Sequence, residues 1–167
     1  FERMRFLAAT VQQAMQHSGL PTRVDVVTAL HACDTATDDA IDFALARQAQ
    51  HLVLVPCCQA EVAGVMRQHK AFALKQTPLA ELWRHPLHTR EFGSQITNVL
   101  RCLRLEAHGY DVTVTELVGW EHSMKNELIL ARRMADDRHG RQERARQRLL
   151  QVLDQFGLQA MQTRFAV

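Results

Sequence analysis

This sequence of 167 residues is short of glycine, proline and aromatic residues, and these shortages exclude several structures. Its seven glycines are scattered, and none of them lies in a Gly-rich turn. With four prolines it contains no low-complexity linker, and it shows no internal repeat. It has one Tyr and two Trp, so few side chains could stack on single-stranded nucleic acid. No run of about 18 apolar residues occurs, and we expect no membrane span.

Charge and cysteine content narrow the class of protein further. A formal charge of +2 is too small to indicate a nucleic-acid partner by itself. The composition, 47% hydrophobic and 23% charged, is typical of one soluble globular domain. The first residues do not resemble a signal peptide, so we expect a cytoplasmic protein. Four cysteines, two of them adjacent, make a poor disulfide framework, and we expect thiols in a reducing compartment.

Two apolar runs, residues 24–30 and 51–55, each end in a cluster of reactive polar residues. An amphipathic segment separates them, which predicts a βαβ unit with two parallel strands. Open α/β sheets bind ligands at the carboxyl ends of their strands. We therefore expect four side chains that follow the two strands to surround one crevice: His31, Cys33, Cys57 and Cys58.

Outside this unit, the sequence pattern up to residue 107 predicts one more strand and four helices. Residues 3–10 are typical of a short strand that leads into a helix over 11–17. Two short helices, over 61–70 and 78–84, belong to a helical insertion at residues 59–95. Apolar residues at helical spacing predict a long amphipathic helix over 90–107, with Gly109 as its left-handed cap.

The end of the chain predicts an antiparallel strand pair followed by a basic helix. Residues 111–118 alternate with a period of two, residues 127–131 are apolar, and a loop joins them. Helical periodicity returns over 141–156, where Arg141, Arg144 and Arg148 share the face opposite the apolar stripe. This face could follow a phosphate backbone, or it could be a solvated surface without a partner.

Three segments, residues 24–34, 54–58 and 121–129, resemble the class I S-adenosylmethionine-dependent methyltransferases. They are most similar to the branch with Leu-His-Ala-Cys and Pro-Cys-Cys at its strand ends. The resemblance implies an α/β fold: a Rossmann-like, mostly parallel sheet of seven strands with an antiparallel last strand. This chain would hold strands three to seven, and the first two strands would be absent from it.

The resemblance also implies a domain organisation. Residues 1–134 would be the C-terminal part of the methyltransferase-like domain, and the arginine-rich helix of residues 135–167 would pack on it. The chain would then be a fragment of a longer protein, inactive alone, whose uncovered sheet edge pairs with another segment or chain. Its cofactor would be S-adenosyl-L-methionine. The methyl acceptor is not identified, and RNA is a candidate because relatives of this fold include RNA-modifying enzymes.

Residue roles follow from the same resemblance. The cofactor-binding candidates are Thr10, His31, Cys33 and Asp34, and the substrate-pocket candidates are Pro56, Cys57, Cys58, Gln59 and Trp120. Methyl transfer is an in-line displacement that needs alignment and, for weak nucleophiles, a base. In the loop of residues 121–126, His122 is the candidate base, and Lys125 and Asn126 would orient the substrate or brace the loop.

Other interpretations of these residues stay open. Cys33 could be a small buried hydrophobe, and His31 could be a core histidine bonded to a backbone carbonyl. Thr35 and Asp38 have the spacing of a capping box. His31 and the three neighbouring cysteines include ligands that zinc prefers, but the side chains of adjacent Cys57 and Cys58 diverge, so we expect no metal site. The rival hypothesis is a non-catalytic or zinc-binding interaction module that keeps the methyltransferase fold.

Overall fold

The structure is a computed structural model that describes residues 3–57, 59–68, 77–119, 121, 126–135 and 139–167. In chain order its elements are α1 (Val11–Met15), β1 (Val26–Leu30), α2 (Thr35–Ala46), β2 (His51–Val55), α3 (Glu61–Gln68), α4 (Pro86–Ala107), β3 (Tyr110–Glu116), β4 (Glu127–Arg133) and α5 (His139–Gln155). Short 3-10 turns cover Pro78–Arg84 and Gln159–Met161. No helix in these described ranges is both long and apolar enough to cross a membrane.

The strands form a four-stranded sheet in the order β1-β2-β4-β3. β1 and β2 are parallel, with Leu30 opposite Val55, as the long crossover through α2 predicts. β4 is antiparallel to both of its neighbours, β2 and β3. The α/β class and the antiparallel pairing of the last two strands are therefore confirmed.

One predicted strand is wrong. Residues 3–10 contain no strand and run as irregular chain up to Thr10, so the sheet has four strands where the sequence analysis expected five. Phe6 is 95% exposed, which shows that the apolar residues of this segment are not packed into the sheet. β1 is consequently an edge strand, and its Val26 and Leu30 are 52% and 63% exposed.

One face of the sheet is buried against α2 and α4. Alternate residues of β2 and β4 point to this face and form a core with Ile41 of α2, Leu105 of α4 and Tyr110 of β3. Leu52, Leu54 and Ile129 are each at most 1% exposed there. The register of β2 is fixed by this burial, because a slip of one residue would turn these side chains to the other face.

A second core joins α3, α4, α5 and the C-terminal segment. Leu100 and Leu103 of α4 pack with Leu149 and Leu153 of α5 and with Phe165 near the chain end. Helix α4 is thus covered on two sides, by the sheet and by α5. It extends the predicted helix by four residues to Pro86, which fits because proline is accepted in the first turn. Gly109 has a φ of +86°, as the predicted cap requires.

Candidate functional site

A pocket of about 380 Å³ lies at the carboxyl ends of β2 and β3, beside the start of β4 and the first half of α4. Its lining residues are Pro56, Cys57, Glu91, Ser94, Gln95, Asn98, Val114, Thr115, Glu116, Asn126 and Glu127. Three of them, Pro56, Cys57 and Asn126, are residues that the sequence analysis singled out. Pro56 and Cys57 follow β2, whereas the described residues after β1 (His31, Cys33 and Asp34) are not among the residues that line this pocket.

Carboxylates give the pocket its chemical character. Glu91, Glu116 and Glu127 line it together with the amide side chains of Gln95, Asn98 and Asn126. Asn98 Nδ2 donates a hydrogen bond of 2.6 Å to Glu127 Oε2, which fixes that carboxylate at the pocket wall. Ionised carboxylates only accept hydrogen bonds, so this wall suits a bound group that carries N–H or O–H donors.

The thiols of Cys33 and Cys57 meet beside this pocket, with 3.3 Å between their sulfur atoms. Cys33 follows β1 and Cys57 follows β2, so the parallel pairing of the two strands brings them together. The interpretation of Cys33 as a buried hydrophobe is wrong, because the residue is exposed.

The loop between β1 and α2 has an unusual backbone. His31 has a φ of +53° and Asp34 a φ of +47°, a region that residues with a Cβ seldom adopt. The backbone N–H of His31 donates to Val55 O at 3.0 Å, and the Thr37 hydroxyl donates to Ala32 O at 2.6 Å. These bonds hold the loop in its strained conformation, and strain of this kind is concentrated at functional sites.

A buried ion pair lies behind the loop. Arg101 of α4 is fully buried, and its Nε and Nη2 donate to the two carboxylate oxygens of Asp38 at 2.8 and 2.9 Å. Nη2 also donates to Asp34 O at 2.7 Å, and Nη1 donates to Asn98 Oδ1 at 3.1 Å. Arg101 therefore connects the strained loop to Asn98 and, through it, to Glu127 in the pocket.

The capping-box interpretation of Thr35 and Asp38 is consequently wrong. Helix α2 has Asp34 as its N-cap residue, and no capping hydrogen bond from the Asp34 side chain is present in the described structure. Asp38 is 4% exposed, and its carboxylate is bound by Arg101. Arg101 was not among the predicted site residues. Asp38, Ile41 and Leu45 fall on the same face of α2 at helical spacing, which is a signal for the burial of Asp38 but not for its partner.

Gln59, two residues before α3, contacts two residues of α4 behind the pocket. It is 5% exposed, and its amide lies 2.5 Å from Ser94 Oγ and 3.0 Å from Arg101 Nη1. Because a guanidinium only donates, we assign the Gln59 oxygen toward Arg101 and its nitrogen toward Ser94. Gln59 thus belongs to the supporting network of the pocket and not to its lining.

Asn126 has a bracing role in the structure. It is 9% exposed, and its side-chain Nδ2 donates to Val118 O at 2.5 Å. Its backbone carbonyl accepts from Leu117 N at 2.8 Å. These bonds join the end of β3 to the start of β4. Of the two functions considered for Asn126, bracing the loop agrees with these contacts.

Thr10, the remaining cofactor candidate, caps helix α1. Its hydroxyl accepts from Gln13 N, and Gln13 Oε1 accepts from Thr10 N, so the two form a capping box. The end of α1 is bound by Arg47, which donates to the carbonyls of Ala14 and Met15. Arg47 lies at the opposite end of α2 from Asp34, about 20 Å along the helix.

Several predicted residues lie outside the described part of the chain. These are Cys58, Trp120, His122 and Lys125. Their assignment to the substrate pocket and to catalysis stays a prediction. Within the described ranges, no group of three or more His, Cys, Asp and Glu side chains is arranged to hold a metal ion.

The arginine-rich helix α5 has its own acidic partners. Arg141 donates to Asp111 Oδ1 at 2.8 Å, and Arg148 lies 3.4 Å from Glu106 Oε2. Arg144 is exposed. Two of the three arginines considered for RNA binding therefore already form ion pairs within the chain.

Comparison with known proteins gives one match. Residues 1–65 match the model of a protein family described as a methyltransferase domain. This segment includes both strand-end motifs, the Cys33–Cys57 pair and two of the residues that line the pocket, Pro56 and Cys57. No curated protein and no solved structure matches the chain significantly. The match supports the prediction of a methyltransferase domain.

Proposed function

We propose that this chain contributes part of an S-adenosylmethionine-dependent methyltransferase. The observation that carries the proposal is the methyltransferase-domain match over residues 1–65, the segment that contains both strand-end motifs. The pocket supports it independently, since it lies where α/β enzymes bind their ligands. The antiparallel last strand agrees with the sheet that the resemblance implies. On this proposal, the four strands are strands four to seven of that sheet.

The pocket would hold the methyl acceptor. Its carboxylates, of which Glu127 is fixed by Asn98, would accept hydrogen bonds from amine, amide or hydroxyl groups of the acceptor. Alignment contributes most to an in-line displacement, and the rigid walls from α4 and β3 are suited to it. His122 stays the proposed base, and Lys125 and Asn126 stay the residues proposed to orient the substrate or brace the loop.

The described residues do not form a complete cofactor site. None of the seven glycines lies in a Gly-rich turn, and the pocket wall carries three carboxylates that would repel the carboxylate of the cofactor. The loop with His31, Cys33 and Asp34 would supply only one side of such a site. We therefore expect this chain alone to bind S-adenosylmethionine weakly or not at all.

The decisive experiment is calorimetric titration of S-adenosylmethionine and S-adenosylhomocysteine into the product of the full parent gene and into this chain. Binding by the parent product, with loss of affinity in its Asp34→Ala variant and not in Arg148→Met, supports the proposal. Absence of binding in a well-folded parent product would contradict it. Stoichiometric zinc in that product would favour the rival, an interaction module with a metal site.

RNA is the acceptor class that the resemblance suggests, and it stays a separate proposal. Binding through α5 would have to compete with the ion pairs of Arg141 and Arg148. The carboxylates of the pocket would repel a phosphate backbone, although a base turned into the pocket could use them as hydrogen-bond acceptors. The free edge of β1 is where further strands of the sheet would pair.

A further inference from the structure

Two thiols lie close together at the ends of β1 and β2. Cys33 Sγ and Cys57 Sγ are 3.3 Å apart, although 24 positions separate them in the sequence. Cys33 lies three residues beyond Leu30, and Cys57 lies two residues beyond Val55, the last paired residues of β1 and β2. The pair is therefore positioned by the register of two parallel strands and not by a flexible turn.

The loop around Cys33 is fixed as well. His31 N donates to Val55 O, and Arg101 holds the carbonyl of Asp34. The Cys33 thiol is 3.7 Å from His31 O, within the range of a sulfur hydrogen bond. Small oxidants can reach the pair, because Cys33 is exposed and Cys57 lines the pocket. Both requirements of an oxidisable pair, proximity and access, are thus met.

We propose that Cys33 and Cys57 are a dithiol that a hydroperoxide oxidises to a disulfide within the chain. One thiolate attacks the O–O bond of the peroxide, which forms a sulfenic acid and releases water or an alcohol. The second thiol attacks the sulfenic sulfur, so that the S–S bond forms and the hydroxyl leaves as water. With hydrogen peroxide, two thiols and one peroxide give one disulfide and two water molecules.

The geometry requires little movement. A disulfide has an S–S distance of about 2.05 Å, so the two sulfur atoms would approach by about 1.2 Å from their present 3.3 Å. The bond would tie the ends of β1 and β2 together and remove the Cys57 thiol from the pocket wall. The proposal does not depend on methyl transfer and would hold for any function of the pocket.

Cys102 provides a matched comparison within the same chain. Burial, with Glu127 and Glu106 nearby, raises the pKa of the Cys102 thiol to about 12. Since the thiolate is the reactive form, Cys102 should be inert near neutral pH. Cys58, adjacent to Cys57, lies outside the described residues and is the natural competitor, so its variant is part of the test.

The test is oxidation of the purified chain with hydrogen peroxide near neutral pH, followed by alkylation and mass spectrometry without reduction. We expect a loss of two hydrogen atoms, protection of two thiols from the alkylating reagent, and a peptide that joins Cys33 to Cys57. Dithiothreitol should reverse all three changes. The Cys58→Ser and Cys102→Ser variants should behave in the same way, whereas Cys33→Ser and Cys57→Ser should lose the crosslink.

Three results would overturn the proposal. The first is an intramolecular crosslink between Cys33 and Cys58 in place of Cys57. The second is independent oxidation of the thiols to sulfinic acids without a crosslink. The third is stoichiometric zinc in the purified chain that is released with the oxidation, which would make the pair metal ligands. Circular dichroism of each serine variant separates loss of the thiol from loss of the fold.

Discussion

Two charged regions of this molecule, the network behind the pocket and the surface of α5, use arginine in opposite ways. Arg101 is fully buried and donates to Asp38, Asn98 and the carbonyl of Asp34. Arg148 on α5 is 63% exposed and lies 3.4 Å from the carboxylate of Glu106. In water such a pair contributes about 0–1 kcal/mol, whereas removal of one partner of a buried pair leaves an uncompensated charge. The number of arginines in a segment therefore says little about their energetic importance.

Replacement of Arg101 by methionine should have the largest effect. It leaves Asp38 buried without its main partner and frees the carbonyl of Asp34, so we expect a loss of about 3–5 kcal/mol in the free energy of unfolding. Urea unfolding followed by circular dichroism measures it. Arg148→Met is the matched control, because it removes the same charge at an exposed position.

A double variant distinguishes the contribution of the ion pair to stability from that of side-chain packing. The double variant Asp38→Asn/Arg101→Met removes both charges, and we expect it to be more stable than Arg101→Met alone. Equal stability of the two variants would mean that the loss comes from the packing of the arginine side chain. An Arg101→Met protein as stable as the unmodified chain would contradict the importance assigned to the buried network.

Gly93→Ala should have the next largest effect. A Cβ on Gly93 of α4 would lie 2.6–2.8 Å from Ala63 of α3, including its backbone, so α3 would have to move. We expect a loss of about 1–3 kcal/mol despite the better helix propensity of alanine. Because Ser94 of α4 is hydrogen-bonded to Gln59, which lies two residues before α3, the wall of the pocket should be displaced as well.

Gly64→Ala is the control for this effect, since the same substitution on α3 meets no atom within 4 Å. It should stabilise the chain by about 0.5–1 kcal/mol through helix propensity alone. Urea unfolding of both variants gives the comparison. Stabilisation by both substitutions would show that α3 can shift on α4 without cost, and the pocket wall would then not be rigid.

Local signals allowed much of the fold to be predicted. The apolar spacing of α4 and the position of Gly109 are encoded within one helix, and the parallel pairing of β1 and β2 follows from the length of their connection. Residues 3–10 show the limit of such signals. An apolar run there has the composition of a strand, but no neighbouring strand in the described structure pairs with it.

Only part of the pocket could be predicted, because Cys57 lines it whereas Cys33 is not among its described lining residues. The strand-end rule located Cys57, and the same rule together with the strand register brought Cys33 next to it. Arg101 could not be assigned to Asp38, because 63 positions separate them and no local pattern links the two. The apolar spacing of α4 predicts a helix that is buried on one side only. Helix α4 is buried on two sides, which places its Arg101 in the interior.

The arginines of α5 should give the smallest change in stability. We expect Arg141→Met, Arg144→Met and Arg148→Met each to change the free energy of unfolding by about 0–1 kcal/mol, and the effect to shrink as salt is added. A variant that combines the three substitutions then tests whether these arginines bind RNA, by comparison of its affinity for a short RNA with that of the unmodified chain. If they contact phosphates, the unmodified chain should bind with a steep salt dependence that the triple variant lacks. Equal and weak binding by both proteins, with stability unchanged, would identify the arginine face as a solvated surface.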